Sequence, residues 1–587
     1  MKLVNKPILI CVLFSFLAFQ ALAQEIDGDT SANENALPNA KWGAENHRAD
    51  SERPNILLLV AEDLSPRIGA FGDQLAVTPN IDQLAQRGVR YTNTFTTAGV
   101  CAPSRAALIT GVHQNTLGAG HMRSTDWEKA KYMVVPPPEV KAFPELLRAA
   151  GYFTYVNKKL DYQFSGDAPG SGPFTIWDQR SRKTSGVSWR DRAGHKPFFG
   201  MYAFMATHEG GLFPRCCWPK SIMHLIMGTM HTFIHRKTEL QIRPEQVSVP
   251  PYYPDTPAIR RDIAQQYNNI ITMDRQVGEV LSQLEADGLA ESTIVIWTTD
   301  HGDGLPRAKR ELFDSGFKVP MVIYWPEQYR PMGVKPGGLD SRLVSFVDLA
   351  PTILKMARAN VPGFVQGRDF VTPDSVPRKY IYAARDRLDE TRDRQRAVRD
   401  KRYKYIRNYY PELSGAQHLA FRDDLNSMNE LWRLLEEGRL NSTQRLWFGP
   451  RQKEELYDTK NDPFETNNLA GKPEFEPVLK RMRVALSNWQ RVVPDQGATD
   501  EAELAEKFWP SENQPTTSTP NVSLNSNSGE VTLTATTDKA SLGYRINGGN
   551  WLLYTRPVTL LVGETLTAKS VRYGWEESAV RSVKRKD

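Results

Sequence analysis

Val100-Cys101-Ala102-Pro103-Ser104-Arg105-Ala106-Ala107-Leu108-Ile109-Thr110-Gly111 reads as a turn that becomes a helix. Pro103 suits a first helical turn, where a missing N–H is no loss, and Gly111 suits a C-terminal stop. The spacing therefore puts Cys101 at a helix N-terminus, where unpaired N–H groups and the helix dipole favour negative charge. Arg105, one turn on, points back over the same spot. An anion held there meets a sulfur-bearing side chain and a fixed guanidinium together. The residues alone leave a second reading open, because a lone Cys also serves as a small buried hydrophobe.

Outward from this segment the chain alternates strands and helices. Upstream, residues 89–95 are β-like. Asn55-Ile56-Leu57-Leu58-Leu59-Val60 is a continuous apolar run of the kind buried on both faces of a sheet. Between them Thr78-Pro79-Asn80 caps a helix with Ile81, Leu84 and Ala85 apolar, ending at Gly88. Downstream, residues 143–150 and 259–286 have helical periodicity, and 152–156, 198–206, 293–297 and 318–325 are strand-like. Polar residues gather directly after the strands, at Glu62-Asp63, Lys158-Lys159-Leu160-Asp161, Thr207-His208 and Asp300-His301. That pattern predicts an α/β fold with its site at the carboxyl edge of the sheet.

From about residue 380 the character changes. Short strands at 380–384, 402–407 and 455–458, with helices at 431–439 and 475–492, predict an α+β subdomain at 381–508 after an α/β domain at 53–380. Residues 509–528 are Ser/Thr/Asn/Pro-rich and read as a linker. Residues 529–587 alternate with period two around Asn547-Gly548-Gly549, which predicts a small β-sandwich. This last stretch resembles the C-terminal β-module appended to chitobiase-type glycan enzymes.

The other end reads as a signal peptide at 1–23: Lys2 and Lys6, an apolar stretch at 8–19, then Ala21-Leu22-Ala23. Residues 24–52 are polar and aperiodic, a linker. The expected product is secreted or periplasmic, with no membrane span. A net charge of +6 over 587 residues, without a basic stripe, excludes a nucleic-acid protein. Cleavage would leave Cys101, Cys216 and Cys217, too few for a disulfide scaffold and an odd number, so one thiol has another fate.

Glu62-Asp63 and Asp300-His301 both follow strands, so the two pairs can converge into an oxygen-rich site for Ca²⁺ or Mg²⁺, although loops are rich in Asp in any case. The spacing Cys-x-Pro-Ser-Arg-x-x-Leu-x-Thr-Gly, complete from Cys101 to Gly111, resembles the motif of type I sulfatases. The resemblance extends over about residues 53–495 and implies an alkaline-phosphatase-like mixed central sheet and hydrolysis of sulfate esters. It further implies that a formylglycine-generating or sulfatase-maturating enzyme oxidises Cys101 to Cα-formylglycine. The implied Ca²⁺ ligands, with Mg²⁺ as the alternative ion, are Glu62, Asp63, Cys101, Asp300 and His301. Residues 151–161 are similar to the family's Gly-Tyr-x-Thr-x-x-x-Gly-Lys-x-His, which implies Lys159 as a sulfate ligand, with Lys158 the competing register. Lys309 falls where the family has a second such lysine, and Arg105 completes the cationic set. His208 falls where the family has a His facing the ester, and is the expected proton donor to the leaving oxygen.

Two positions depart from the family pattern: Glu62 replaces an Asp, and Asp161 stands where a His is usual. Asp161, His121 and Arg123 are the expected substrate contacts, with His113-Gln114 also near the mouth of the site. An insertion within residues 201–243 carries His224, His231 and His235 at spacings that match no strong metal pattern, and reads as a subsite loop. Export and a glycan-associated module point to a sulfated polysaccharide, with ulvan or carrageenan ahead of glycosaminoglycans. The rival functions are a phosphodiesterase or phosphonate monoester hydrolase of the same superfamily, and a catalytically dead glycan-binding protein.

Overall fold

The computed structural model describes residues 53–122, 132–164, 173–183, 186–213 and 241–586. The expected signal peptide, the 24–52 linker, Arg123, Cys216, Cys217 and the three histidines of the insertion lie outside the described residues.

Nine strands form the central sheet: β1 (Asn55–Ala61), β2 (Val89–Phe95), β3 (Phe153–Asn157), β4 (Gln179–Ser181), β5 (Phe198–Phe204), β6 (Thr293–Thr299), β7 (Lys318–Tyr324), β8 (Gly338–Asp340) and β9 (Val344–Ser345). Their order is β4-β3-β5-β1-β6-β7-β2-β8, with β9 also on β2. Only β7 among them runs against its neighbours, antiparallel to both β6 and β2. The fold is α/β with a mixed central sheet.

Every residue of β1, β5 and β6 is buried, as expected for strands covered on both faces. The two-residue period splits β1 between two apolar layers. Ile56, Leu58 and Val60 pack with helices α2 (Cys101–Thr110), α3 (Phe143–Ala149) and α5 (Leu349–Met356). Leu57 and Leu59 pack with α1 (Pro79–Arg87) and the long α4 (Pro257–Ala286), whose Ile263, Ile270, Met273 and Val277 recur at helical spacing.

A second sheet, antiparallel, comprises β10 (Ile381–Arg385), β11 (Gln395–Arg399), β12 (Tyr403–Asn408) and β13 (Glu454–Asp458). The sequence pattern misses β11, Gln-Arg-Ala-Val-Arg, because arginines are unusual in a buried strand. Here Arg396 is fully buried and paired with Asp495 at 2.6 Å and Asp386 at 2.9 Å. Helix α6 (Asn426–Glu436) packs its Met428 and Leu431 on the α4 side of the central sheet. Helix α7 (Glu476–Val492) covers the second sheet with Leu479, Met482, Leu486 and Trp489. A further helix, α8 (Glu501–Phe508), follows.

The C-terminal module has two antiparallel sheets. One holds β14 (Asn521–Leu524), β15 (Glu530–Thr534) and β18 (Val558–Thr559). The other holds β16 (Ser541–Ile546), β17 (Leu552–Leu553), β19 (Thr565–Val571) and β20 (Arg581–Lys584). Val531, Leu533, Leu560, Leu566 and Ala568 fill the space between them. The 509–528 linker reading needs correction. Val522 pairs with Leu533 as part of β14, and the Thr517 N–H donates to the Glu576 carbonyl at 3.0 Å, so polar residues here are strand and docking backbone.

Candidate active site

Strand order explains why the polar pairs meet. β3, β5, β1 and β6 are consecutive and parallel, so their carboxyl ends open on one edge. Ala61 is paired in register with Phe204 on one side and Thr299 on the other. Lys159 follows β3, His208 follows β5, Glu62-Asp63 follow β1 and Asp300-His301 follow β6. β7 starts at this same edge because it runs the other way, so the loop carrying Lys309 also crosses it.

Cys101 is the first residue of α2, fully buried, and Gly111 ends that helix at φ +69°. The Cys101 Sγ lies 3.2 Å from His301 Nε2 and 3.8 Å from Asp63 Oδ1. Gly302 presents its carbonyl oxygen 3.0 Å from His301 Nδ1, so Nδ1 carries hydrogen and Nε2 faces the cluster, 3.0 Å from Asp63 Oδ1. Ligand atoms of Asp63, Cys101, Asp300 and His301 lie within 4.8 Å of one another, as do those of Glu62, Asp63, Cys101 and His208.

Three cations meet these carboxylates. Arg105 donates from Nη2 to Glu62 Oε1 and from Nε to Asp300 Oδ2 at 3.2 Å. Lys159 Nζ reaches Glu62 Oε2 at 2.6 Å. Lys309 Nζ bridges Asp63 Oδ2 at 2.6 Å and Glu209 Oε1 at 2.8 Å. Burial pushes Cys101 up, but Lys159 and Lys309 outweigh it and hold the thiol well below its ordinary range. Burial also opposes ionisation of Asp63 and Asp300. Lys309, with His208 and His301, overcomes it at Asp63, and His301 with Arg105 brings Asp300 to about 2. Glu62 goes the other way, because burial, with the Asp300 carboxylate beside it, outweighs Arg105 and Lys159.

His208 is half-buried and accepts a hydrogen bond at Nδ1 from the Gly210 N–H at 3.2 Å. A neutral imidazole so held carries its proton on Nε2. The Phe421 ring stands 6.3 Å from it at 72°.

Other expected contacts sit elsewhere. His121 is buried, accepts at Nδ1 from the Arg387 N–H at 3.2 Å, and lies 3.6 Å from Glu501; its ring engages the loop after β10 rather than the Cys101 cluster. His113 packs edge-on against Trp489 of α7, buried in an apolar seam that drops it to about 3, so it does not line the mouth. Gln114 donates to the Thr97 carbonyl at 2.8 Å and so braces the turn that delivers Cys101. Asp161 is half-buried on the Lys159 loop, beside Tyr162.

The sequence reading missed Glu209 and Arg310. Glu209 receives both Arg310 terminal nitrogens at 2.9 and 3.0 Å besides Lys309, and Arg310 also meets Asp389 at 3.2 Å. The only sequence signal is adjacency, each lying next to a candidate residue.

A family model described as Sulfatase matches residues 54–359, and one described as N-sulphoglucosamine sulphohydrolase, C-terminal, matches 307–446. An ulvan-active sulfatase of Formosa agariphila is 40% identical over 564 residues, covering 91% of this chain and 92% of that protein. The chain belongs to the sulfatase family. This sulfatase is also 27% identical to human N-sulphoglucosamine sulphohydrolase, over 74% of this chain and 89% of that protein. A solved 2-O GAG sulfatase shares its fold with a TM-score of 0.52 at 20% identity, covering 76% of this chain and 94% of that one. The chain is a sulfuric ester hydrolase, and the phosphodiesterase and dead-scaffold alternatives are not favoured.

Sulfatase membership implies a metal ion and a formylglycine. The residues present fit a metal: three buried carboxylates and the Nε2 side of a buried imidazole converge beside Cys101, a donor set suited to a hard divalent cation. Among the described residues, no helix is long and apolar enough to cross a membrane.

Proposed function

We propose that this sulfatase is exported and releases sulfate from a sulfated polysaccharide, with ulvan the first candidate. The observation that carries the mechanism is the single buried cluster of Cys101, three carboxylates and three fixed cations. The 40% identity to an ulvan-active sulfatase supports the substrate, and the Lys2-to-Ala23 pattern supports export to a secreted or periplasmic location.

A formylglycine at position 101, once hydrated, supplies an oxygen nucleophile for sulfur and a second hydroxyl that lets sulfate leave. Glu62, Asp63, Asp300 and His301 would hold Ca²⁺, which supplies Lewis-acid activation beside that oxygen. Lys159, Lys309 and Arg105 orient the sulfuryl group and neutralise the charge that spreads over its oxygens. As the S–O bond to the sugar breaks, its electron pair goes to the sugar oxygen, and His208 delivers the Nε2 proton there. Glu209 keeps Lys309 aimed by holding its ammonium from the far side. Asp161 is a proposed sugar contact from the Lys159 loop, and His121 a proposed positioning residue for the loop after β10.

Desulfation of a panel of defined ulvan, carrageenan and glycosaminoglycan oligosaccharides tests the substrate, and fastest release from ulvan pieces is expected. Mass spectrometry of residue 101 tests the nucleophile. Active protein carrying only an unmodified thiol there would sink the mechanism.

A further inference from the structure

The β-module contributes one residue to the core of the catalytic domain. Tyr573, just past β19, is fully buried in the same apolar cluster as Ile56 and Val60 of β1. Its ring lies 5.6 Å from that of Phe164, and its hydroxyl donates to Glu145 Oε2 at 2.8 Å. Phe164 ends the described part of the loop that begins at Lys158 and carries Lys159.

That loop needs holding. Lys158 and Gln163, both non-glycine, have φ of +74° and +62°, a sparsely populated conformation that persists only where the surroundings impose it. Its start is tied by the Lys158 N–H to the Ser181 carbonyl at 2.7 Å. Its far end is tied through the strip at 132–136, where the Val134 N–H donates to the Gln163 carbonyl at 2.9 Å. The module grips that strip as well. Arg572 donates to the Pro136 carbonyl, and Gly574, at φ +85°, sits so close that a Cβ would lie 2.4 Å from the Val134 carbonyl oxygen. Three consecutive module residues therefore bear on both anchors at the far end of the Lys159 loop.

We propose that the turn Arg572-Tyr573-Gly574 of the C-terminal module is a positioning element for the active site, holding the Lys159 loop through Phe164 and the Val134 strip. The module is then part of the catalytic architecture rather than a spacer. This rests on Lys159 as a sulfate ligand.

The test is a double-mutant cycle on the full chain, with inorganic sulfate as the probe and calorimetry as the readout. Tyr573→Ala and Gly574→Ala are each compared in the Lys159 and Lys159→Ala backgrounds. The expected result is sulfate binding weakened about fivefold or more with Lys159 present and less than about twofold without it. Gly574→Ala removes no side chain and acts by pushing the Val134 strip away from the module, so it decides the matter if Tyr573→Ala fails to fold. Equal weakening in both backgrounds, or a fall in Tm with sulfate affinity unchanged, overturns the proposal. If Lys159→Ala alone leaves sulfate affinity unchanged, the reading of Lys159 fails first, and the two failures are thereby told apart.

Discussion

The strand edge around Cys101 and the module joint around Glu145 both bury carboxylates, and they hold them by opposite means. At the edge, Glu62, Asp63, Asp300 and Glu209 meet Arg105, Lys159, Lys309 and Arg310 in direct ion pairs. At the joint, Glu145 accepts from the hydroxyls of Thr175, Ser541 at 2.5 Å and Tyr573 at 2.8 Å. Charge–charge interactions in a poorly screened interior reach several ångströms, so they tune whatever is bound among them. Hydroxyl donors satisfy an acceptor locally and rigidify the parts they join. The edge is therefore built to act on a bound anion and cation, and the joint to keep three segments of chain in register.

The sharpest break of this comparison is at the nucleophile. Cys101→Ala is expected to abolish sulfate release by at least about 10³-fold while leaving Tm nearly unchanged, as followed by released sulfate and thermal melting. Retained activity would remove the edge from the mechanism. Next, stripping metal with a chelator should reduce turnover at least about tenfold and lower Tm, since an ion that binds only the folded chain stabilises it. Ca²⁺ should restore activity better than Mg²⁺, because a cluster of protein donors suits the larger, more readily dehydrated ion. Recovery with Mg²⁺ alone would reverse that assignment.

Smaller effects sharpen it. Glu62→Asp shortens the side chain that spans Arg105 and Lys159, so it should lower kcat/KM about tenfold, a loss near 1.4 kcal/mol in transition-state binding, even though it restores the family's usual residue. Unchanged kinetics would mean that the edge tolerates either length. Glu145→Gln puts an amide donor among hydroxyls that now donate to a carboxylate, and should cost about 1–3 kcal/mol of stability and, because Glu145 also seats Tyr573, lower kcat/KM by no more than about fivefold, short of the Glu62→Asp loss. A large kinetic loss at unchanged Tm would contradict the division of labour between edge and joint.

Much of the site was legible because its signals are local. The Cys101 helix, its proline and its glycine stop obey capping rules, and the structure begins that helix at Cys101. Strand ends betray themselves by apolar runs that break into polar residues, which located Glu62-Asp63, His208 and Asp300-His301. The failures have a common cause. β11, His113 and Gln114 are polar residues whose burial depends on partners far along the chain, and local pattern assigns such residues to the surface. Glu209 and Arg310 were invisible for the same reason, since only the fold reveals that each neutralises the other.

By itself, the sequence determined the long strands of the central sheet, the helix that presents Cys101, and the residue types gathered at each strand end, because periodicity and capping act over a few residues. Only the tertiary structure decided that β3, β5, β1 and β6 stand side by side, that Lys159 is the lysine meeting Glu62, and that Tyr573 of the module enters the core of the catalytic domain. Those are contacts between segments about 45 to 500 residues apart. Such contacts are set by burying apolar faces against one another, and no local pattern encodes which faces meet.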